Sequence, residues 1–217
     1  MKWLVRGVGI AIVILLIWVA RDLSDSTRHD LRHFDGHEVG RLETAMWQSY
    51  YSHERLKMYR ELAQLLREQY RLPLWRSYVT AYYAAHAAVV FQRGRSRAEY
   101  VRALPDLQVF YAQVLEHSAA NFDAKKAAQL ELEWWIVHRE RALHKPEDLA
   151  NSLAELQSEI YQRPASDFLE HARARAAAML LRDRKAESGS PSDEDWRTIA
   201  GLLDHCWMAL QIAVAHS

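Results

Sequence analysis

Read for hydrophobic period, the chain divides into one unbroken apolar run and a series of helix-spaced stripes. The run lies at the start. "MKWLVRGVGIAIVILLIWVAR" is uncharged from Gly7 to Ala20. With Trp3, Leu4 and Val5 it reaches about 18 residues if Arg6 snorkels toward headgroups, close to the roughly 20 that a bilayer core needs. The stripes follow. Val39, Leu42, Met46 and Tyr50 predict a helix to about Ser52, which Asp35 and Glu38 can open as a capping box. Leu56, Tyr59, Leu62, Ala63 and Leu66 predict a second, running to Tyr70 and stopped by Pro73. Residues 73–91, with Arg76 as the only full charge and an alanine-rich second half, read as a central helix that its neighbours approach closely. Further helices are predicted from Ser96 to Ser118 across Pro105, from Asn121 or Asp123 to about Leu143, from Pro146 to about Tyr161 and from Pro164 to about Asp183.

The period of two that marks strands is hard to find, and glycine and proline are scarce, at 7 and 5. An all-α fold follows: a single amino-terminal transmembrane helix, then a globular bundle of about seven helices. Residues 1–20 form the anchor, 21–36 a polar tether and 37–183 the helical domain. Residues 184–195 form a linker before a carboxy-terminal amphipathic helix at 196–217, which carries Trp196, Ile199, Leu203, Trp207 and Leu210.

Composition changes this picture in two places. Of 217 residues, 50% are hydrophobic and 26% charged, a globular balance, and 28 Lys plus Arg are matched by 28 Asp plus Glu. No field of one sign would draw the chain to nucleic acid, so none is expected as a partner. The lone cysteine, Cys206, allows neither an internal disulfide nor a zinc knuckle. A cleaved signal peptide or a buried helix are the other readings of the amino terminus. The exit argues against cleavage, because Trp18 stands where a small residue belongs and Arg21 and Asp22 follow at once. Lys2, Arg6 and the terminal amine face Arg21, Arg28 and Arg32, and the denser first set favours a cytoplasmic amino terminus with the domain outside. A second span at 73–91 is weakened by Arg76, Thr80 and His86.

Candidate chemistry concentrates in "LELEWWIVHRE", residues 130–140. At 100° per residue, Ala127, Leu130, Glu131, Trp134 and His138 share one side, while Lys126, Gln129, Glu133 and Glu140 gather on a wet one. Glu43 likewise falls between Val39 and Met46, and His86 lies on the central helix. Glutamates and histidines projecting inward from several helices are how bundles bind pairs of metal ions. Glu43, His86, Glu131 and His138 are therefore the candidate ligands of a divalent metal; no other cofactor is expected. Glu131 and His138, about 10 Å apart along the axis, could share two ions but hardly one. The other reading makes these groups core residues satisfied by arginine, tyrosine or one another.

The seven-residue step from Glu131 to His138, with Asp167 and His171 in "DFLEH", is similar to ligand spacing in haem-oxygenase-like di-iron oxygenases. That pattern also wants a histidine where this chain has Arg163, and Asp167 and His171 project beside Arg175 and Arg182, toward water. His29, His33 and His37 recur every fourth residue and could chelate an ion on a helix, but Gly36 breaks it. Arg93, Arg95 and Arg97 form a small basic interhelical loop.

"FDGHEVGRLETAMWQSYY", "LELEWWIVHRE" and "HARARAAAMLLRDRKAE" resemble stretches of an uncharacterised bacterial family of small membrane-anchored helical proteins with no assigned activity. The resemblance implies a bacterial source and supplies no functional residues; joined to the anchor, it gives an expected bacterial inner-membrane location. Two readings follow. One is a scaffold or accessory subunit with a protein partner or self-association; the other is a membrane-tethered metalloenzyme with an interior Glu/His site.

Overall fold

The computed structural model describes residues 2–145 and 147–215, with side chains from Arg6 onward. The side chains of Lys2 to Val5, the charge at Met1, and Pro146 as a helix opener lie outside the described residues. The described residues are all-helical: α1 (Lys2–Leu23), α2 (Gly36–Tyr51), α3 (Arg55–Tyr70), α4 (Leu74–Arg93), the single turn α5 (Arg97–Tyr100), α6 (Leu104–Glu116), α7 (Ala124–Arg139), α8 (Asp148–Tyr161), α9 (Leu169–Glu187) and α10 (Asp193–Ala215). Short 3-10 turns at Val101–Ala103, Arg141–Leu143 and Ala165–Phe168 join some of them.

The boundaries have local causes. Asp35 caps α2 by accepting from the Glu38 N–H, but Glu38 turns to Arg41 rather than completing the box. Asp123 caps α7 through the N–H groups of Lys125 and Lys126. Arg71 ends α3 in the left-handed region, and Pro73 then starts α4.

After α1, consecutive long helices are neighbours: α2 on α3, α3 on α4, α4 on α6, and so on through α7, α8 and α9 to α10. Helix α10 then returns to α2, so eight helices close a ring around the core. The closing contact is tight because α2 offers two glycines. A Cβ on Gly40 would lie 2.9 Å from the Asp204 Cα, and one on Gly36 2.9 Å from the Trp207 carbonyl oxygen.

Several expectations change. By length and composition, the one described helix able to cross a membrane is α10, at the opposite end from the expected anchor. One face of it is spent inside the ring, however, with Ile199, Leu203, Cys206, Trp207, Leu210 and Val214 buried, while Ile212 stays exposed. Helix α1 shows the reverse packing: Val8, Ile10, Ile14, Leu16 and Ile17 are 57–63% exposed. The 184–195 linker shrinks to a short turn, since α9 runs to Glu187 and α10 starts at Asp193. The alanine-rich α4 takes a place in the ring instead of its centre, leaving Val79, Tyr82 and Val89 exposed.

The 21–36 segment is laid along the domain. Asp22 Oδ1 accepts from the N–H groups of Trp75 and Arg76, capping α4 from the end of α1, while Trp18 meets Trp75 edge-on at 5.7 Å. The Arg76 guanidinium donates to the Leu23 carbonyl. Farther on, the His29 N–H donates to the His117 carbonyl, and Leu31 and Phe34 are buried.

Candidate functional site

At the middle of the ring lies an inner chamber of about 320 Å³. Helix α2 turns Glu43 into it, α7 turns Glu131, Trp134 and His138, α9 turns Arg175, and α10 brings Trp207. Leucines and alanines of α3 and α4, with tyrosines and methionines, complete an apolar wall. Chambers of this size and character, mostly apolar with a few convergent polar groups, are where small molecules bind.

Both carboxylates have both oxygens engaged. Glu43, 2% exposed, accepts from the Arg175 guanidinium at 2.6 Å and from the Trp207 indole N–H at 2.5 Å. Glu131 accepts from the Tyr111 hydroxyl and the Trp135 indole N–H, each at 2.9 Å. Burial drives the Tyr111 hydroxyl well above the usual phenol range, reinforced by the charge of Glu131, so it stays a proton donor. Burial works against the charge on Arg175, yet Glu43 and Glu131 together hold its basicity above the ordinary arginine value. The Arg175 guanidinium also stacks near the Trp134 and Trp207 rings, at 5.4 and 5.9 Å.

Between α2, α4, α7 and α9 the chamber opens into a mouth of about 780 Å³ that shares Tyr50, Tyr51, Trp134, Trp135 and His138 with it. Arg55, Arg93, Arg139, Arg141 and Arg182 line the mouth, against one carboxylate, Asp183. Arg182 packs over the Tyr51 ring and donates to Asp183 at 3.0 Å, and Arg139 lies 5.0 Å from the Phe91 ring centre. Burial pushes the Tyr51 hydroxyl up to about 12, partly offset by Arg182.

The expected ligand set is only partly assembled. Glu43, Glu131 and His138 line one chamber, whereas His86 stands outside it, half-exposed, stacked on Tyr82 with Nδ1 2.7 Å from Asp106. The placement of α4 in the ring wall, with this face outward, is the reason. His138 Nε2 sits 3.1 Å from Asp183 Oδ2, in ion-pair range but off the line of a hydrogen bond. Asp183 is lowered below the ordinary aspartate value, His138 and Arg182 outweighing the upward push of burial. Among the described residues, no group of three His, Cys, Asp or Glu side chains could hold a metal ion.

The second pair separates as well. Asp167 pairs with Arg163 at 2.7 Å, but His171 is 1% exposed rather than wet, its Nδ1 3.0 Å from the Cys206 carbonyl. That carbonyl can only accept, so Nδ1 carries the proton and Nε2 the lone pair. Burial, with the nearby Arg175 charge, holds the imidazole down at about 3. His33 pairs with Asp30 and His37 with Asp204, so the three tether histidines do not act as a set.

Sequence reasoning missed Arg175, which it assigned to solvent. The available signal was its setting in "ARARAAAML", where small residues on either side let a partner helix come close.

No family model, curated protein or solved structure matches the chain.

Proposed function

We propose that this is a single-pass protein of a bacterial inner membrane, anchored by α1, whose outward-facing helical domain serves as a scaffold or accessory subunit for a protein partner. The observation that carries the reading is the packing contrast between the two apolar helices. Helix α1 exposes its large apolar side chains from Val8 to Trp18, a surface that costs roughly 25 cal/mol per Å² to keep in water. Helix α10 has already buried one apolar face in the ring. Arg6 on one side and Arg21 with Asp22 on the other frame the apolar run at headgroup depth.

A partner surface is offered by α4, which starts at the base of the anchor. Val79, Tyr82 and Val89 form an exposed stripe, with His86 stacked on Tyr82 within it. Apolar and aromatic stripes of this kind suit a partner helix.

A membrane-tethered metalloenzyme is the second reading, favoured by the placement of Glu43, Glu131 and His138 on one chamber. Three measurements test the pair. The full chain should resist carbonate extraction from membranes, and Ile14→Arg, costing about 2.5–3.5 kcal/mol at mid-bilayer, should release it. An intact chain washed off by carbonate overturns the anchor. A photo-crosslinker at Tyr82 should capture one stoichiometric membrane partner. Stoichiometric iron, manganese or zinc in protein purified without a histidine tag, lost on Glu131→Ala, would decide for the enzyme.

A further inference from the structure

We propose that the mouth and inner chamber form one binding site for a small amphiphile with an acidic head, its apolar body inside and its carboxylate at the rim. The sign of charge reverses along this cavity. Its floor holds two carboxylates against one guanidinium, Glu43 and Glu131 against Arg175. Its rim holds five guanidinium groups against Asp183. Arg182 and Arg141 share that carboxylate, at 3.0 and 3.6 Å, and Arg141 is also held by Glu187 at 2.6 Å, whereas Arg55, Arg93 and Arg139 have no ion pair among the described residues. An anion is therefore repelled by the floor and attracted at the rim, which fixes the direction of entry.

Unpartnered polar atoms cluster here too. Among the described residues, nine buried side-chain atoms have no hydrogen-bond partner, and five belong to residues lining this cavity: Ser49, Trp134, Arg175 and Arg182, with His138, whose Nε2 faces Asp183 at 3.1 Å. The atoms on Trp134, Arg175 and Arg182 are N–H groups that can only donate. Buried donors without acceptors are costly in a native core. Oxygen acceptors entering from the mouth would answer those on Trp134 and Arg182, which line it. The stacking of Arg139 on Phe91 and of Arg182 on Tyr51 orders these guanidiniums in advance, so less freedom is lost when a carboxylate binds. Between rim and floor, Met58, Leu62, Leu66 and Ala88 provide the surface for an alkyl or aryl body.

The test uses the full chain in lipid nanodiscs, with octanoate, octanol and octylamine as probes followed by calorimetry and tryptophan fluorescence. Octanoate should bind saturably at one per chain, octanol about tenfold more weakly, the size of one charge-assisted contact, and octylamine not at all. Arg139→Gln, an exposed substitution, should weaken octanoate about tenfold and leave octanol unchanged. Ala88→Trp, filling the chamber, should abolish saturable binding, with Ala85→Phe as a milder filler if the first does not fold. Equal signals from all three probes, or an undiminished octanoate signal in a folded filled variant, would mean partition into the bilayer and overturn the site. Unchanged octanoate binding by Arg139→Gln would overturn the placement of the head.

Discussion

Arg175 on α9 donates to Glu43 on α2 at 2.6 Å, and the two lie 132 residues apart in sequence. The pair ties α2 to α9 across a core that is mostly aromatic and aliphatic. Removing one partner leaves the other charge buried. Arg175→Met should therefore cost about 3–5 kcal/mol, measured by urea denaturation. Glu43→Gln combined with Arg175→Met keeps an acceptor for Trp207 and removes both charges, so it should recover most of the loss. Equal losses in the single and double variants would refute the pairing argument.

His171 should make stability fall with acid. Its ordinary value is 6.5 and its folded value about 3, so between these limits the unfolded chain binds a proton that the native chain does not. The stabilisation is complete above 6.5 and is lost as pH drops toward 3, by up to about 1.4 kcal/mol per pH unit. His171→Gln should flatten that part of the stability profile relative to the parent. An unchanged slope would show that His171 titrates freely.

Gly40→Ala and Gly201→Ala should have opposite signs. At Gly40 the new methyl meets the Asp204 backbone at 2.9 Å and forces α10 off α2, at about 1–3 kcal/mol. At Gly201, mid-helix in α10, it meets nothing within 4 Å and should stabilise by about 0.5–1 kcal/mol. Thermal melts of the two variants decide it.

Asp22→Ala removes the cap that α1 places on α4 and should cost about 1 kcal/mol, with Asp22→Asn largely neutral. A spin label on Ser24 should show broader motion in the alanine variant. Unchanged motion would mean that the Trp18–Trp75 contact and the Arg76–Leu23 bond hold the joint without the cap.

Much of this was legible from helical period. Asp35 as a cap, the stop at Pro73 and the division of α7 into wet and inward faces follow from spacing alone, and Glu133 does pair with Arg97 in solvent. Glu131 was legible as an inward carboxylate, but its donors were not. Tyr111 and Trp135 reach it from positions that no period marks. Arg175 and His171 were misplaced for one reason: charge was taken to mean solvent. A long guanidinium can be buried when a carboxylate and two indole faces meet it, and that depends on which helix lies opposite. His86 failed similarly, since alanine content shows that neighbours can come close, not that they surround the helix.

Ring closure through α10 also sets an order of events during synthesis. Glu43 waits for Trp207, 164 residues later, and the Gly36 N–H waits for Gln211, 175 residues later. At about 5–20 residues per second, α1 and seven helices of the ring leave the ribosome seconds before the strut that completes their core. Until then the nascent domain keeps a charged carboxylate and the apolar groove between α2 and α9 open to whatever binds unfinished chains. The twenty-three residues of α10 act as a timer on folding as much as a wall of the fold.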